Sequence, residues 1–104
     1  MKPEVKHIHD HFGLEKQIAK AREEAQEYDA ALAELQRLMA INAAPIDIAT
    51  QRLNVIEEAA DVKLTKEQII YGLKGESDYK NMYQFKIQRT LDRIKTGHYD
   101  KEVK

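Results

Sequence analysis

Apolar residues recur along this chain at helical spacing, and two breaks divide the pattern into three long segments. The clearest segment runs from Leu14 to Ile41. Its seam is Leu14, Ile18, Ala21, Ala25, Tyr28, Leu32, Leu35 and Met39, at alternating spacings of 4 and 3. That repeat is of coiled-coil type. At a rise of ~1.5 Å per residue such a helix is about 42 Å long. A compact monomer of about 100 residues has an expected radius of gyration of only ~13 Å. Leu38 and Ile41 lie off the seam and give the C-terminal half a second apolar side. Both features predict helices supplied by another subunit.

Asn42-Ala43-Ala44-Pro45 ends this helix, because proline bars helical geometry for Ala44. A second long helix is predicted over 46–73, with Asp47 as its N-cap. It carries two apolar stripes. One is Ile48, Val55, Ala59, Val62, Ile69 and Leu73; the other is Ala49, Leu53, Ile56, Ala60 and Leu64. A helix apolar on two flanks is packed on two sides. Thr65-Lys66-Glu67-Gln68 has the form of a capping box, but the stripe keeps its phase through it, so continuation is expected. Gly72 and Gly75 then stop the helix. A third helix is expected over 78–97, capped by Ser77 or Asp78 and ended by Gly97. Its seam is Tyr79, Met82, Tyr83, Ile87, Leu91 and Ile94. Residues 98–104 read as a frayed tail.

Residues 1–13 form a lead-in with histidines at 7, 9 and 11. Spacing of two puts side chains on one face of a strand and fans them out on a helix. The expectation is a short capping helix or turn with exposed histidines. The whole is read as one all-α domain, 1–104: an antiparallel bundle of about four helices, completed by oligomerisation.

Composition narrows the function. Net charge is −1 over 104 residues, which offers no global attraction to nucleic acid or an anionic membrane. There is no cysteine, hence no disulfide scaffold, thiolate zinc site or cysteine nucleophile. No apolar run approaches the ~20 residues that span a bilayer. The opening residues lack the apolar core of a signal peptide, and the expected compartment is the cytoplasm.

The chemistry lies in a pattern written twice. Glu23-Glu24-Ala25-Gln26-Glu27-Tyr28 and Glu57-Glu58-Ala59-Ala60-Asp61-Val62 both read acid, acid, Ala, spacer, acid, apolar. Residues three apart are neighbours on a helix, so Glu24 stands beside Glu27 and Glu58 beside Asp61. Ala25 and Tyr28 are expected in the seam, with Glu24 and Glu27 on its flank. A lone acid pair is usually solvated surface; duplication on the border of two seams points to a shared site. Four carboxylates meeting in a partly buried place would repel and lose solvation. A hard divalent cation, Mg²⁺ or Mn²⁺, removes the conflict. On the last helix Lys86, Arg89 and Arg93 share one face. Such a face is either solvated surface or an anion clamp. With a carboxylate-held metal, it suggests a polyphosphate substrate.

These motifs resemble the MazG-like all-α nucleoside triphosphate pyrophosphatases. The matching residues are Glu23, Glu24 and Glu27 on one helix, then Glu58 and Asp61 on the next. The stretch from Phe85 to Ile94 is similar to the family's basic third element, especially in its small phage and Firmicute-type members. His11 to Gln17 looks like the lead-in those members carry. The resemblance covers about Phe12 to Tyr99. It implies Mg²⁺-dependent hydrolysis of a nucleoside triphosphate between its α and β phosphates, in the manner of nucleotide-pool housecleaning, by a dimer or tetramer. It implies that Glu24, Glu27, Glu58 and Asp61 hold the metal and carry catalysis. Lys86 and Arg89 match its phosphate-binding residues, Arg93 fits by geometry, and Gln17 is the candidate nucleotide contact. The connector between Glu27 and Glu58 is longer than in the simplest members.

Two other classes compete. A non-catalytic helical interaction or regulatory module would use the acids only to solubilise its faces. A di-iron bundle needs paired Glu-x-x-His motifs, and only Glu4-x-x-His7 is present.

Overall fold

A computed structural model describes residues 1–97. They hold four helices: α1 (Pro3–Phe12), α2 (Leu14–Ala40), α3 (Pro45–Gly72) and α4 (Glu76–Lys95). There is no strand among the described residues, so the fold is all-α as predicted. The expected tail lies outside them. The chain divides into two units, one of α1 to α3 (Met1–Lys74) and one that begins at Gly75 and contains α4. No helix among the described residues is long and apolar enough to cross a membrane.

In the first unit α2 and α3 are the main packed pair, and α1 lies against both. The pair is antiparallel. Gln51 Nε2 donates to the Ala31 carbonyl at 2.9 Å, whereas Glu58 reaches back to Glu24 and Thr65 shares a cavity with Gln17. Asn42, with φ of 51°, turns the chain out of α2, and Pro45 opens α3 at its first position, where its missing N–H costs nothing. The cap position is therefore Ala44, and Asp47 lies in the first turn instead of capping. Thr65 opens no new helix. Its hydroxyl donates back to the carbonyls of Asp61 and Val62 at 3.2 and 3.1 Å, and α3 continues. At the end of α3 the left-handed residue is Lys74, φ 55°, not a glycine; Gly75 caps α4, and Ser77 and Asp78 fall inside that helix's first turns. Gly97, φ 76°, follows the end of α4 as expected.

Two faces differ from the sequence reading. On α2 the buried and half-buried positions are Leu14, Gln17, Ala21, Glu24, Tyr28, Ala31, Glu34, Leu35 and Leu38. Ile18, Ala25, Leu32 and Met39 are exposed. The predicted and observed seams share every second position and differ by one residue at the others, which turns the buried face by about 50°. The more hydrophobic of the two phases is the one left outside. On α3 only the stripe through Ile48, Val55, Ala59 and Val62 is covered; Leu73, Ala49, Leu53, Ile56, Ala60 and Leu64 are exposed. Among the described residues of the first unit, nothing covers the second apolar flank.

The lead-in is a helix, as anticipated, and His7 and His11 are exposed on it. His9 is not. It is buried, edge-on to the Tyr71 ring at 5.3 Å, over the place where Gly72 has no side chain. Among the described residues only Val5 and Ala31 are fully buried apolar side chains, against the polar His9, Gln17, Glu24, Thr65 and Gln68. The interior of this unit is thus unusually polar.

Candidate metal centre

The one-residue rotation of α2 carries Glu24 from the flank into the helix interface, where it is 4% exposed. Glu27, one turn on, stays exposed, and Glu58 comes from α3 half-buried. One carboxylate oxygen from each of Glu24, Glu27 and Glu58 lies within 4.8 Å of the others. Glu24 Oε2 and Glu58 Oε2 are buried and accept no hydrogen bond. Buried carboxylate oxygens are normally satisfied. Two such oxygens on facing helices, in one acid group, make this a candidate cation site.

The chain supplies one partial answer to this charge. Lys20 Nζ lies 2.9 Å from Glu24 Oε1, and 4.0 Å from Glu23 Oε1. The hydrogen bond to Glu24, then the fields of Glu23 and Glu24, hold the Lys20 ammonium above its ordinary pKa. Repulsion remains beyond its reach. The Glu24 charge, then desolvation, then Glu58 and Glu23, raise the Glu27 carboxyl. A hydrogen bond to Glu24 also favours its protonated form. The donor set is all carboxylate oxygen, which suits Mg²⁺ or Mn²⁺ and not a soft metal.

The fourth predicted ligand, Asp61, is exposed and stands outside this trio. It lies one turn after Glu58, and its backbone carbonyl receives the Thr65 hydroxyl. Glu23 is exposed beside Lys20. Gln17 is buried and lines a cavity between the three helices of the first unit. Lys86, Arg89 and Arg93 belong to α4, in the second unit. There Lys86 and Arg89 are exposed and Arg93 is half-buried. Arg89 lies over the Phe85 ring, 5.9 Å from its centroid, a cation–π contact that holds the guanidinium along the helix.

Lys20 was not singled out by sequence, although its place four residues before Glu24 is the spacing of a helical ion pair. Gln68 and Thr65 signal only a capping box in the sequence; their burial beside the cavity follows from the packing of the first three helices. No family model, curated protein or solved structure matches this chain.

Proposed function

We propose that this chain is a Mg²⁺- or Mn²⁺-dependent nucleoside triphosphate pyrophosphohydrolase of the nucleotide-housecleaning kind, working in the cytoplasm as a homo-oligomer. It would convert an NTP or dNTP and water to the monophosphate and pyrophosphate. The observation that carries the reading is the pair of buried, unpartnered oxygens on Glu24 and Glu58. The residue pattern described above supports the substrate class.

Glu24, Glu27 and Glu58 would hold the ion, and Asp61, one turn along α3, is the fourth ligand in this reading. When bound, the ion supplies Lewis-acid polarisation of phosphate oxygens and an activated water. The chain's own residues do the rest. Burial of Glu24 and Glu58 keeps bulk water from competing for their oxygens. Lys20 neutralises part of the acid group while no metal is there. Lys86, Arg89 and Arg93 are assigned to phosphate oxygens, where guanidinium and ammonium donors make charge-assisted hydrogen bonds and absorb developing negative charge. Gln17 is assigned to the nucleotide.

The test is incubation with Mg²⁺ and a panel of ordinary and modified nucleoside triphosphates, with products identified by chromatography. Monophosphate and pyrophosphate are expected in equal amounts. Diphosphate and inorganic phosphate would place the cleaved bond elsewhere. No product from any triphosphate would return the acids to the helical interaction module.

A further inference from the structure

A cavity of about 350 Å³ opens between α1, α2 and α3. Ile8, Phe12 and Leu64 give it apolar walls; Gln17, Thr65 and Gln68 give it polar groups; Lys16 and Lys20 also line it. It adjoins the acid group through Lys20, whose ammonium bonds Glu24 at 2.9 Å. Its size is at the lower end of small-molecule sites, which combine apolar walls with a few fixed polar groups.

Gln68 is the decisive residue. It is 2% exposed, and its Oε1 has no hydrogen-bond partner. Glu24 and Glu58 aside, two polar side chains of the α2–α3 interface are engaged within the chain. Gln51 donates to the Ala31 carbonyl, and the Thr65 hydroxyl is spent on Asp61 and Val62. An amide buried this deeply is normally satisfied, so the unmet acceptor calls for a donor brought by a ligand. A carboxamide presents an acceptor and a donor side by side. Its complement is a planar ring with an N–H next to a carbonyl or ring nitrogen. Phe12, half exposed on the cavity wall, offers an aromatic surface for such a ring.

We propose that this cavity receives the heterocyclic base of the nucleotide and that Gln68 reads the base's hydrogen-bonding edge. The proposal rests on the pyrophosphohydrolase reading and adds the specificity determinant to it. Discrimination by a buried amide is strong because the wrong base leaves the amide unpaired. The walls alone would select only for a flat apolar shape.

The test compares kcat/KM for ATP, GTP, CTP and UTP between the native chain and Gln68→Leu. The native chain should prefer one base by ~10-fold or more, and the variant should lose most of that preference. A second comparison needs no variant: the preferred triphosphate against its analogue methylated on the donating ring or exocyclic nitrogen. The analogue should lose ~10-fold or more on the native chain. Turnover with an unchanged base preference in Gln68→Leu, or with the methylated analogue as good as its parent, overturns the assignment and leaves the enzyme reading standing. If no triphosphate is hydrolysed at all, the enzyme reading falls, and metal-free melting with the four nucleosides decides the cavity. A base-dependent rise in Tm that Gln68→Leu abolishes keeps it; no rise removes it.

Discussion

Lys20 Nζ bonds Glu24 Oε1 across one turn of α2, joining a half-exposed ammonium to a carboxylate that is almost fully buried. The pair is asymmetric. Lys20 can leave for water, whereas Glu24 cannot. Removing one partner of a buried charge leaves the other uncompensated. Lys20→Met should lower the Tm of the metal-free chain by several degrees. The same variant should gain more than the native chain from millimolar Mg²⁺, because the metal no longer competes with an internal cation. Equal metal-induced shifts in the two proteins, measured by differential scanning fluorimetry, would detach Lys20 from the site.

Glu58 gives the complementary experiment. Its Oε2 is buried without a partner, and its charge adds to the repulsion felt by Glu27. Glu58→Gln keeps the shape and removes the charge. The fold should persist, with an unchanged or higher metal-free Tm, since like-charge repulsion is relieved. The Mg²⁺-dependent rise in Tm and the release of pyrophosphate should both disappear. Retained pyrophosphate release would refute the assignment of this carboxylate. Asp61→Asn, tested beside it, decides whether the exposed acid one turn along belongs to the set.

Much of this was legible because helical periodicity is a strong signal. The breaks at Asn42–Pro45 and around Gly75 follow from spacing alone; of the four acids expected to meet if the helices packed, Glu24, Glu27 and Glu58 do and Asp61 does not. The azimuth of α2 did not. Two stripes share Leu14, Ala21, Tyr28 and Leu35, and hydrophobicity favours the one through Ile18, Leu32 and Met39. The observed interface uses Gln17, Glu24 and Ala31 instead. A pattern that counts apolar residues cannot find an interface with polar members. For the same reason Glu24 looked like rim and is interior. Cap positions were misread by one to three residues because proline at the start of α3 and Lys74 in the left-handed region did the work expected of Asp47 and glycine.

The pH response follows from Glu27. Its carboxyl is held above the ordinary 4.5, first by the Glu24 charge. The folded metal-free chain therefore binds this proton more tightly than the unfolded chain. That contribution is complete below the ordinary carboxylate value and is lost as pH rises through the raised one. Glu34 acts oppositely. Its hydrogen bond from Arg37 lowers it, so its contribution is present above the ordinary value and fades as pH falls. In a Glu34→Gln background, the metal-free Tm should decline as pH rises past that of an ordinary carboxylate, and Glu27→Gln should flatten the decline. With Mg²⁺ present the trend should reverse, because metal binding requires ionised ligands. A metal-induced Tm rise independent of pH across this range would contradict the carboxylate site.

Gly72 tests the packing of α1 independently of the chemistry. A Cβ built there would lie 2.5 Å from His9 Cε1 and 2.9 Å from Leu14 Cδ1. Such overpacking costs about 1–3 kcal/mol, more than the gain of up to ~1 kcal/mol from alanine's helix propensity. Gly72→Ala should lower stability in urea melts. His9→Ala should recover part of the loss, because it removes the ring that meets the new methyl. Additive losses in the double variant would mean that the ring is not seated over Gly72.

The last prediction concerns the apolar surface left outside. Leu53, Ile56 and Leu64 are exposed along α3, and Ile18, Leu32 and Met39 along α2. Each set continues the helix's own periodicity, so each is a stripe and not scatter. Contiguous apolar surface of this kind marks an interaction site. The first unit also buries few apolar side chains completely, which leaves a chain of this size marginal by itself. Assembly of copies would offset both. The native chain should scatter light as a dimer or larger at tens of micromolar. Leu53→Glu, which places a charge on the exposed α3 stripe, about 140° around the helix from Glu58, should reduce the mass and the Tm together. A native chain that is monomeric at those concentrations, with Leu53→Glu equally stable, would remove self-association and assign the stripes to a different protein.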